Sequence, residues 1–389
     1  MIKRILHYAK LLPAYLSARA YRIVDPIIRL LPVKSRMHYG VVIVRTDGIG
    51  DFALWASAIP TIREKYKDKT IAYVFPDSYL TIVEKLDLFD GLIPFSKKGA
   101  ERSFGKHISI VWRLKQLSAD IVINPTRYRI YPSDFLVSMI SAPQKIGVLI
   151  KRAGLINKLL DSYYTNLIEI PSIKHEMLNT EYFTRVITNE NYVHKLADFR
   201  KLAEGYNSPI DTNYCVIALS SADEYKIWEV EKVSEIINSI PKKYKVVLTG
   251  FGAKDIERAN YIFANHSDGS RIINMVNKTS MLSLTQLVVK SSFVLGNDSA
   301  TVHLAAACRV PSICYLAGAA YEEFIPYPSS INDIKYHPRA VSFPMDCFGC
   351  HYRCTKEEKS FKALLCIRNI TVDMVNHQLQ ILLNEIETN

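Results

Sequence analysis

The chain lacks several features that would narrow its class at once. Its 389 residues include no low-complexity run, and the 22% charged and 49% hydrophobic content is typical of a folded globular protein. No Gly-x-Gly-x-x-Gly and no Gly-x-x-x-x-Gly-Lys sequence occurs, which argues against a dinucleotide-dependent dehydrogenase and a P-loop nucleotide hydrolase. The longest uncharged run of the N-terminal segment, residues 11–18, is far shorter than the ~20 residues that span a bilayer.

Positive charge is concentrated at the N-terminus. The net charge is +11, and residues 1–36 hold eight Lys or Arg against one acidic residue, Asp25. The remainder is only mildly basic, so we expect no nucleic-acid partner. A basic, apolar helix broken near Pro13 and Pro26 suits an anionic membrane surface, and we expect a cytoplasmic protein peripheral at the inner face of the membrane. A helix docked on the protein itself is an equal alternative. A signal peptide ranks third, because seven cysteines, an odd number, suit a reducing compartment.

Two sets of alternating strand and helix patterns follow. Such alternation predicts an α/β architecture of two Rossmann-like, doubly wound parallel sheets, and the length favours two domains. We place an N-terminal extension at 1–36, an N-terminal Rossmann-like domain at 37–205 and a C-terminal Rossmann-like domain at 206–389. The predicted strands are 41–44, 70–75, 91–95, 120–124 and 145–148 in the first set, and 215–219, 245–249, 271–274, 293–295 and 312–316 in the second.

The first strand runs directly into a glycine-containing turn and a helical stretch that extends to about residue 66. Gly48 and Gly50 permit a tight turn, and Pro60 predicts a kink in the helix. Asp47 and Asp51 are candidate carboxylates, since an aspartate in a cleft can take a proton from an acceptor hydroxyl as general base. The alternative for Asp51 is a helix cap, which is the commoner use of such a residue.

Residues 293–307 show a similar pattern of strand, turn and helix. An apolar strand ends in a polar turn at 296–299, and a helix of small residues follows. Asp298 or Ser299 is a natural cap, and the amides of the first helical turn make an anion site. A capped structural helix explains the residue types equally well. Since ligands of such sheets bind at the carboxyl ends of strands, we expect Asp51 and Asp298 to face each other across one cleft.

Further candidates follow the other strands of the second set. Lys226 could neutralise a leaving phosphate, or simply be an exposed lysine at the start of a helix. Asp255 could bind ribose hydroxyls, or complement the dipole of its own helix. Ser220, Ser221 and Gly250 follow the same two strands and belong to the same predicted binding site.

Four cysteines near the C-terminus form a separate group: Cys347, Cys350, Cys354 and Cys366. Four thiolates could hold a structural zinc ion or an iron–sulfur cluster. Reduced cysteines, or disulfides formed on exposure to oxidant, are the alternative. The spacing does not match a common zinc finger, and nothing in the sequence ties these cysteines to catalysis.

Several of these stretches resemble glycosyltransferase family 9, the heptosyltransferase family. They arrive in the family's order over residues 39–380, and a cysteine-rich tail ahead of a last helix is also similar. Ala300 departs from the pattern, since many members have glycine there. The resembling stretches are 45–51 with Pro60 downstream, Ser220-Ser221 with Lys226-x-Trp228, and 297–307 followed by Val310-Pro311.

The resemblance implies a GT-B fold and an inverting transfer of a sugar from a nucleotide donor, without a catalytic metal or cofactor. It implies that the domain at 37–205 binds the acceptor and that the domain at 206–389 binds the donor. By position, it implies that Asp51 is the general base and that Lys226 steadies the phosphates. The donor it implies is ADP-heptose, and the acceptor is a lipopolysaccharide-type or other lipid-linked saccharide. The turn that it assigns to the donor's pyrophosphate comprises Asp298, Ser299, Ala300, Thr301 and His303.

Two other functions remain open at this point. One is a nucleotide-sugar-binding protein that has lost catalysis, in which Asp51 would be idle. The other is a metal- or redox-sensing protein that uses the cysteine group. Residues 316–323 lack the glycine-rich run that is often found there in the family, so the sugar and the acceptor are left open.

Overall fold

The computed structural model describes residues 27–97, 99, 103–151, 155–266, 268–356 and 363–388. Most of the predicted basic extension, residues 1–26, lies outside them. Within the described ranges, no helix is both long enough and apolar enough to cross a membrane. The chain divides into two compact units, and each is built on one parallel sheet.

The first unit comprises the described residues up to Gly48 together with Ala58–Ile173 and Asn179–Tyr192. Its six-stranded sheet has the order β3-β2-β1-β4-β5-β6, and all neighbouring strands are parallel. The strands are β1 (Met37–Val44), β2 (Ile71–Pro76), β3 (Gly91–Phe95), β4 (Leu117–Asn124), β5 (Gln144–Val148) and β6 (Asn166–Ile168).

The second unit comprises Ile49–Ser57, Lys174–Leu178 and Val193–Asn389. Its six-stranded sheet has the order β12-β11-β10-β7-β8-β9, again with all neighbours parallel. Each sheet therefore follows the 3-2-1-4-5-6 order of a Rossmann-like fold, which confirms the predicted fold class. The strands are β7 (Tyr214–Ala218), β8 (Lys245–Thr249), β9 (Ile272–Asn274), β10 (Phe293–Asn297), β11 (Ser312–Tyr315) and β12 (Arg339–Val341).

Helices separate the strands, as the alternation predicts. Buried apolar runs such as those of β1 and β7 form the middle of each sheet, as expected where helices cover both faces. The helices are α1 (Ile49–Trp55), α2 (Ile59–Lys65), α3 (Leu80–Leu86), α4 (Phe104–Lys115), α5 (Tyr131–Met139), α6 (Leu155–Asp161), α7 (Glu176–Thr188), α8 (Val230–Asn238), α9 (Ala253–Ala264), α10 (Met281–Lys290), α11 (Ala300–Ala307), α12 (Leu365–Arg368) and α13 (Val372–Thr388).

The structure differs from the sequence-based expectation in several details. The edge strands β6 and β12 were not predicted, because three residues carry too little pattern. Helix α4 begins at Phe104 rather than residue 108, since the Ser103 hydroxyl accepts a hydrogen bond from the Lys106 amide and caps it. The stretch to residue 66 is divided into α1, a 3-10 turn and α2, with Pro60 in the first turn of α2. Residues 193–205, predicted to end the first domain, cluster with the second unit.

Candidate functional site

Strand β10 leads into the turn around which the second unit's site is built. The strand is buried throughout and ends at Asn297, and α11 begins at Ala300 after a turn at Asp298 and Ser299. Ser299 occupies the N-cap position, but neither it nor Asp298 caps the helix with its side chain. The Ser299 hydroxyl is shielded from solvent and bonds to no atom of the chain as far as the structure describes it. The first amides of a helix also lack intrahelical partners, so this end of α11 is suited to bind an anion.

Lys226 lies directly beside this turn. Its ammonium is 3.5 Å from Oδ2 of Asp298, and both side chains are largely buried, at 16% and 11% exposure. The Ser221 hydroxyl donates a hydrogen bond to the carbonyl oxygen of Asp298 at 3.2 Å. The structure therefore brings together Lys226, Ser221 and Asp298, which sequence reasoning placed at one site from separate stretches.

Asn297 connects the turn before α11 to the stretch that contains Lys226, and sequence reasoning gave Asn297 no role. Its Oδ1 accepts a hydrogen bond from the Trp228 amide at 2.8 Å, and its Nδ2 donates to the Leu219 carbonyl at 3.3 Å. The Trp228 indole in turn donates to the Ile370 carbonyl at 3.0 Å. The sequence does contain a signal for this role, because Asn297 is a polar residue at the end of an apolar strand. A polar side chain buried there needs a hydrogen-bond partner.

Helix α1 packs against α11, and Gly50 lies at this contact. A Cβ atom at Gly50 would lie 3.2 Å from Cδ2 of His303 and 3.3 Å from Cα of Ala300. Asp51 follows in the first turn of α1 and is half-buried. It is adjacent in the sequence to Gly50, which contacts the first turn of α11. Sequence reasoning placed Asp51 in the first domain, whereas α1 clusters with the second unit, which contains Asp298.

His303 is buried on α11 and is electrically neutral at physiological pH. Burial lowers its pKa to about 4, an effect that Asp298 opposes and Lys226 reinforces. Its Nδ1 is 2.8 Å from the Tyr327 hydroxyl, and the two rings are stacked with centroids 5.9 Å apart. Burial raises the pKa of Tyr327 well above its usual value, so the pair is a neutral imidazole with a neutral phenol. Thr301, on the same helix, is also buried.

Ser220, Gly250 and Asp255 form a neighbouring loop structure. The Ser220 hydroxyl donates to Asp255, which also accepts from the Phe251 amide at 2.8 Å and from Arg258 at 2.5 Å. A Cβ atom at Gly250 would lie 2.6 Å from an Asp255 oxygen. The Asp255 carboxylate is thus already bonded to groups of its own surroundings. A ribose hydroxyl could bind it only by replacing one of these bonds.

Asp47 belongs to the first unit. Its carboxylate pairs with the buried Arg45 guanidinium, with Nη2 and Oδ2 2.5 Å apart, and Lys97 donates to the Thr46 carbonyl at 3.1 Å. These bonds fix the end of β1 immediately before the glycine turn.

The four cysteines of the C-terminal group line one small pocket in the second unit. All are free thiols. Burial raises the pKa of Cys347 and of Cys366, and the neighbouring thiols add to the increase. Among the residues that the structure describes, no group of three or more His, Cys, Asp or Glu is arranged to hold a metal ion.

Comparison with known proteins decides between the functions left open. A family model for glycosyltransferase family 9 (heptosyltransferase) matches residues 108–347, more than half of the chain. The chain belongs to glycosyltransferase family 9. It is therefore a glycosyltransferase, as the motifs around Lys226 and Asp298 imply. The Asp51 motif lies before the matched region.

Relatives of this family 9 protein cover most of its length. It is 26% identical over 295 residues to lipopolysaccharide heptosyltransferase 3 of Escherichia coli (strain K12), covering 72% of this chain and 83% of the relative. The E. coli heptosyltransferase WaaC with ADP-2-deoxy-2-fluoro heptose matches with a TM-score of 0.66 at 17% identity, covering 89% of this chain and 99% of WaaC. E. coli ADP-heptose LPS heptosyltransferase II matches with a TM-score of 0.64 at 16% identity, covering 89% and 99% of the two chains. The structural matches confirm the GT-B fold.

Proposed function

We propose that this protein is an inverting heptosyltransferase that takes its sugar from ADP-heptose. The observation that carries the proposal is the arrangement at the N-terminal end of α11, where Lys226, Asp298 and the unpartnered Ser299 hydroxyl meet. A buried cation beside a helix N-terminus is suited to a diphosphate. ADP is favoured as the nucleotide because WaaC, which shares the fold, binds an ADP-heptose analogue.

Asp51 is proposed as the general base. In a single displacement, the oxygen of an acceptor hydroxyl attacks the anomeric carbon and forms the new glycosidic bond. The bond from that carbon to the β-phosphate oxygen breaks, and its electron pair leaves with ADP. The hydroxyl proton passes to the Asp51 carboxylate. Attack opposite the leaving group inverts the anomeric configuration.

The leaving diphosphate is stabilised by groups of the protein itself. Lys226 supplies a full positive charge, and the amides at the start of α11 supply aligned dipoles. His303 is neutral, so it contributes a hydrogen bond rather than a charge. When the Tyr327 hydroxyl donates to Nδ1, Nε2 carries the proton and can donate to an oxygen of the donor. These groups are the basis for proposing transfer without a catalytic metal.

The proposed acceptor is a lipopolysaccharide-type or other lipid-linked saccharide. The relative from E. coli K12 is a lipopolysaccharide heptosyltransferase, and the basic segment 1–36 suits an anionic membrane surface. We accordingly propose a cytoplasmic protein that binds peripherally at the inner face of the membrane.

Two measurements test this function. Thermal shift with ADP, UDP and GDP should show stabilisation by ADP, since a ligand that binds only the native state raises Tm. Transfer from ADP-heptose to a lipopolysaccharide acceptor should then proceed in the presence of EDTA, with inversion visible by NMR of the product. Stabilisation by UDP alone would rule out the donor. ADP binding without transfer to any lipid-linked saccharide would rule out the proposed acceptor class.

A further inference from the structure

Tyr352 lies against Lys226, although no motif in the sequence points to it. The ammonium of Lys226 is 4.7 Å from the centroid of the Tyr352 ring, and the Tyr225 ring packs beside it at 5.4 Å. Asp298 faces the same ammonium at 3.5 Å. Lys226 is thus bounded by a carboxylate and by the face of an aromatic ring, which attracts cations.

The backbone that carries this ring has an uncommon conformation. His351 and Tyr352 both have positive φ angles, 48° and 60°, a region that residues with side chains rarely adopt. Two such residues in succession persist only where the surroundings hold them, and they concentrate at functional sites. We call residues 345–354 the cysteine loop.

Several contacts tie the cysteine loop to the segment that follows β11. The Gly349 amide donates to the Gly318 carbonyl at 2.8 Å, and the His351 amide donates to the Ala319 carbonyl at 2.9 Å. The His351 ring also meets the buried carboxylate of Glu323 at 2.6 Å. The Phe348 ring covers Gly318 so closely that a Cβ there would lie 2.1 Å from it.

Three of the four C-terminal cysteines, Cys347, Cys350 and Cys354, belong to the same loop. Cys350 and Cys354 stand on either side of Tyr352 in the sequence, and with Cys347 and Cys366 they line one pocket. Chemical change at these thiols therefore acts on the loop that presents Tyr352 to Lys226.

We propose that Tyr352 is a positioning residue for Lys226, held in place by the cysteine loop. The inference rests on the donor site proposed above. The ring covers one side of the ammonium and directs it toward the N-terminal end of α11. Its contribution is therefore to diphosphate binding, and proton transfer to Asp51 is unaffected.

The test is calorimetric titration of ADP into the wild type, Tyr352→Phe and Tyr352→Leu. The phenyl ring keeps the cation–π contact, so Tyr352→Phe should bind within about twofold of the wild type, whereas Tyr352→Leu should bind about fivefold to tenfold more weakly. The kcat/KM for the donor should fall by at least the same factor, because Lys226 also stabilises the leaving diphosphate in the transition state. In a Lys226→Gln background, Tyr352→Leu should have almost no further effect, because the two residues act as a pair. A loss that is equal in both backgrounds would show a merely structural role and overturn the proposal.

The outcomes separate the two proposals. Unchanged ADP affinity in a folded Tyr352→Leu protein overturns the role of Tyr352 and leaves the donor site intact, whereas a wild type that binds no ADP overturns both.

If Tyr352→Leu does not fold, iodoacetamide treatment of the folded wild type replaces it, with the modified sites located by mass spectrometry. Alkylation at Cys350 or Cys354 should weaken ADP binding at least fivefold, and ADP should slow the alkylation. Full ADP affinity after modification there contradicts the proposal.

Discussion

The ammonium of Lys226 is held 3.5 Å from a carboxylate oxygen of Asp298, at the N-terminal end of α11. The pair fixes the lysine where a diphosphate would accumulate charge as its bond to the sugar breaks. Replacing Lys226 with Gln should therefore reduce kcat/KM by about 10²–10³-fold, the usual cost of removing one charge-stabilising donor. Steady-state kinetics with ADP-heptose measure this loss, and ADP titration measures the accompanying fall in affinity.

Lys254→Gln is the matched control for Lys226→Gln. Lys254 lies in the same unit and pairs with Glu224 at 3.1 Å, but its side chain is 58% exposed. The same charge is removed, so a general electrostatic effect would appear in both variants. Equal losses in the two variants would contradict a specific role of Lys226.

Asp51→Asn should stop proton transfer without weakening donor binding. The amide is nearly the same size as the carboxylate but cannot act as a base, so kcat should fall by about 10²–10⁴-fold. ADP affinity should stay close to that of the wild type, because the base acts on the acceptor. Asp77→Asn, at an exposed position of the first unit, is the control. Full turnover by Asp51→Asn would refute the assignment of the base.

Gly50→Ala tests the packing of α1 on α11. The new methyl group would lie 3.2 Å from the His303 ring and 3.3 Å from Cα of Ala300, so the two helices must separate by a few tenths of an ångström. Because small misplacements of a catalytic group are costly, we expect kcat to fall about tenfold and Tm to decrease. Gly105→Ala in α4 is the control, since a Cβ there has no heavy atom within 4 Å. Unchanged kcat in Gly50→Ala would show that this contact does not position Asp51.

Much of the fold was predictable because its signals are local. The buried runs of β1, β7 and β10 end in polar or glycine-containing turns, and the alternation with helices identifies a parallel sheet. The grouping of Ser221, Lys226 and Asp298 was also predictable, since parallel strands present their carboxyl ends at one edge.

The remaining features depend on contacts between residues that are distant in the sequence. Tyr352 reaches Lys226 only through two left-handed residues, and tyrosine at that position gives no sign of such a backbone. The contact between Tyr327 and His303 also joins residues that are distant in the sequence, 24 positions apart. The position of α1 in the second unit could not be predicted either, because it depends on packing against α11, which is distant in the sequence.

Stability should fall as the pH decreases from neutral toward 4. Burial lowers the pKa of both His194 and His303 from 6.5 to about 4, so the unfolded chain takes up protons in this window while the folded chain does not. Each histidine should cost about 2 kcal/mol of unfolding free energy between pH 7 and pH 5. Urea unfolding at the two pH values measures the loss.

His194→Gln separates the histidine effect from general acid sensitivity. The substitution removes one of the two titrating groups, so the loss of stability between pH 7 and pH 5 should shrink by about half. His377→Gln, at an exposed position of α13, is the control and should leave the pH dependence as in the wild type. The same pH dependence in all three proteins would contradict the role of the buried imidazoles.

The design of a membrane-binding test depends on where the basic segment meets the first unit. Ile28 is buried in the core of that unit, and Lys115 donates to the Arg29 carbonyl at 2.7 Å. Removing the whole segment 1–36 would therefore damage the fold. A deletion of residues 1–26 leaves these contacts in place and still removes Lys3, Arg4, Lys10, Arg19 and Arg22.

We expect the deletion of residues 1–26 to weaken binding to vesicles that contain anionic lipid, measured by sedimentation. Basic residues near such a surface contribute about 1 kcal/mol each, so the partition coefficient should fall at least tenfold. A variant with Lys3, Arg4 and Lys10 replaced by Gln keeps the apolar residues and should lose part of the binding. Added salt should weaken the wild type in the same way, because it screens the attraction. Equal partitioning of the wild type and the deletion variant would show instead that the segment has no role at the membrane.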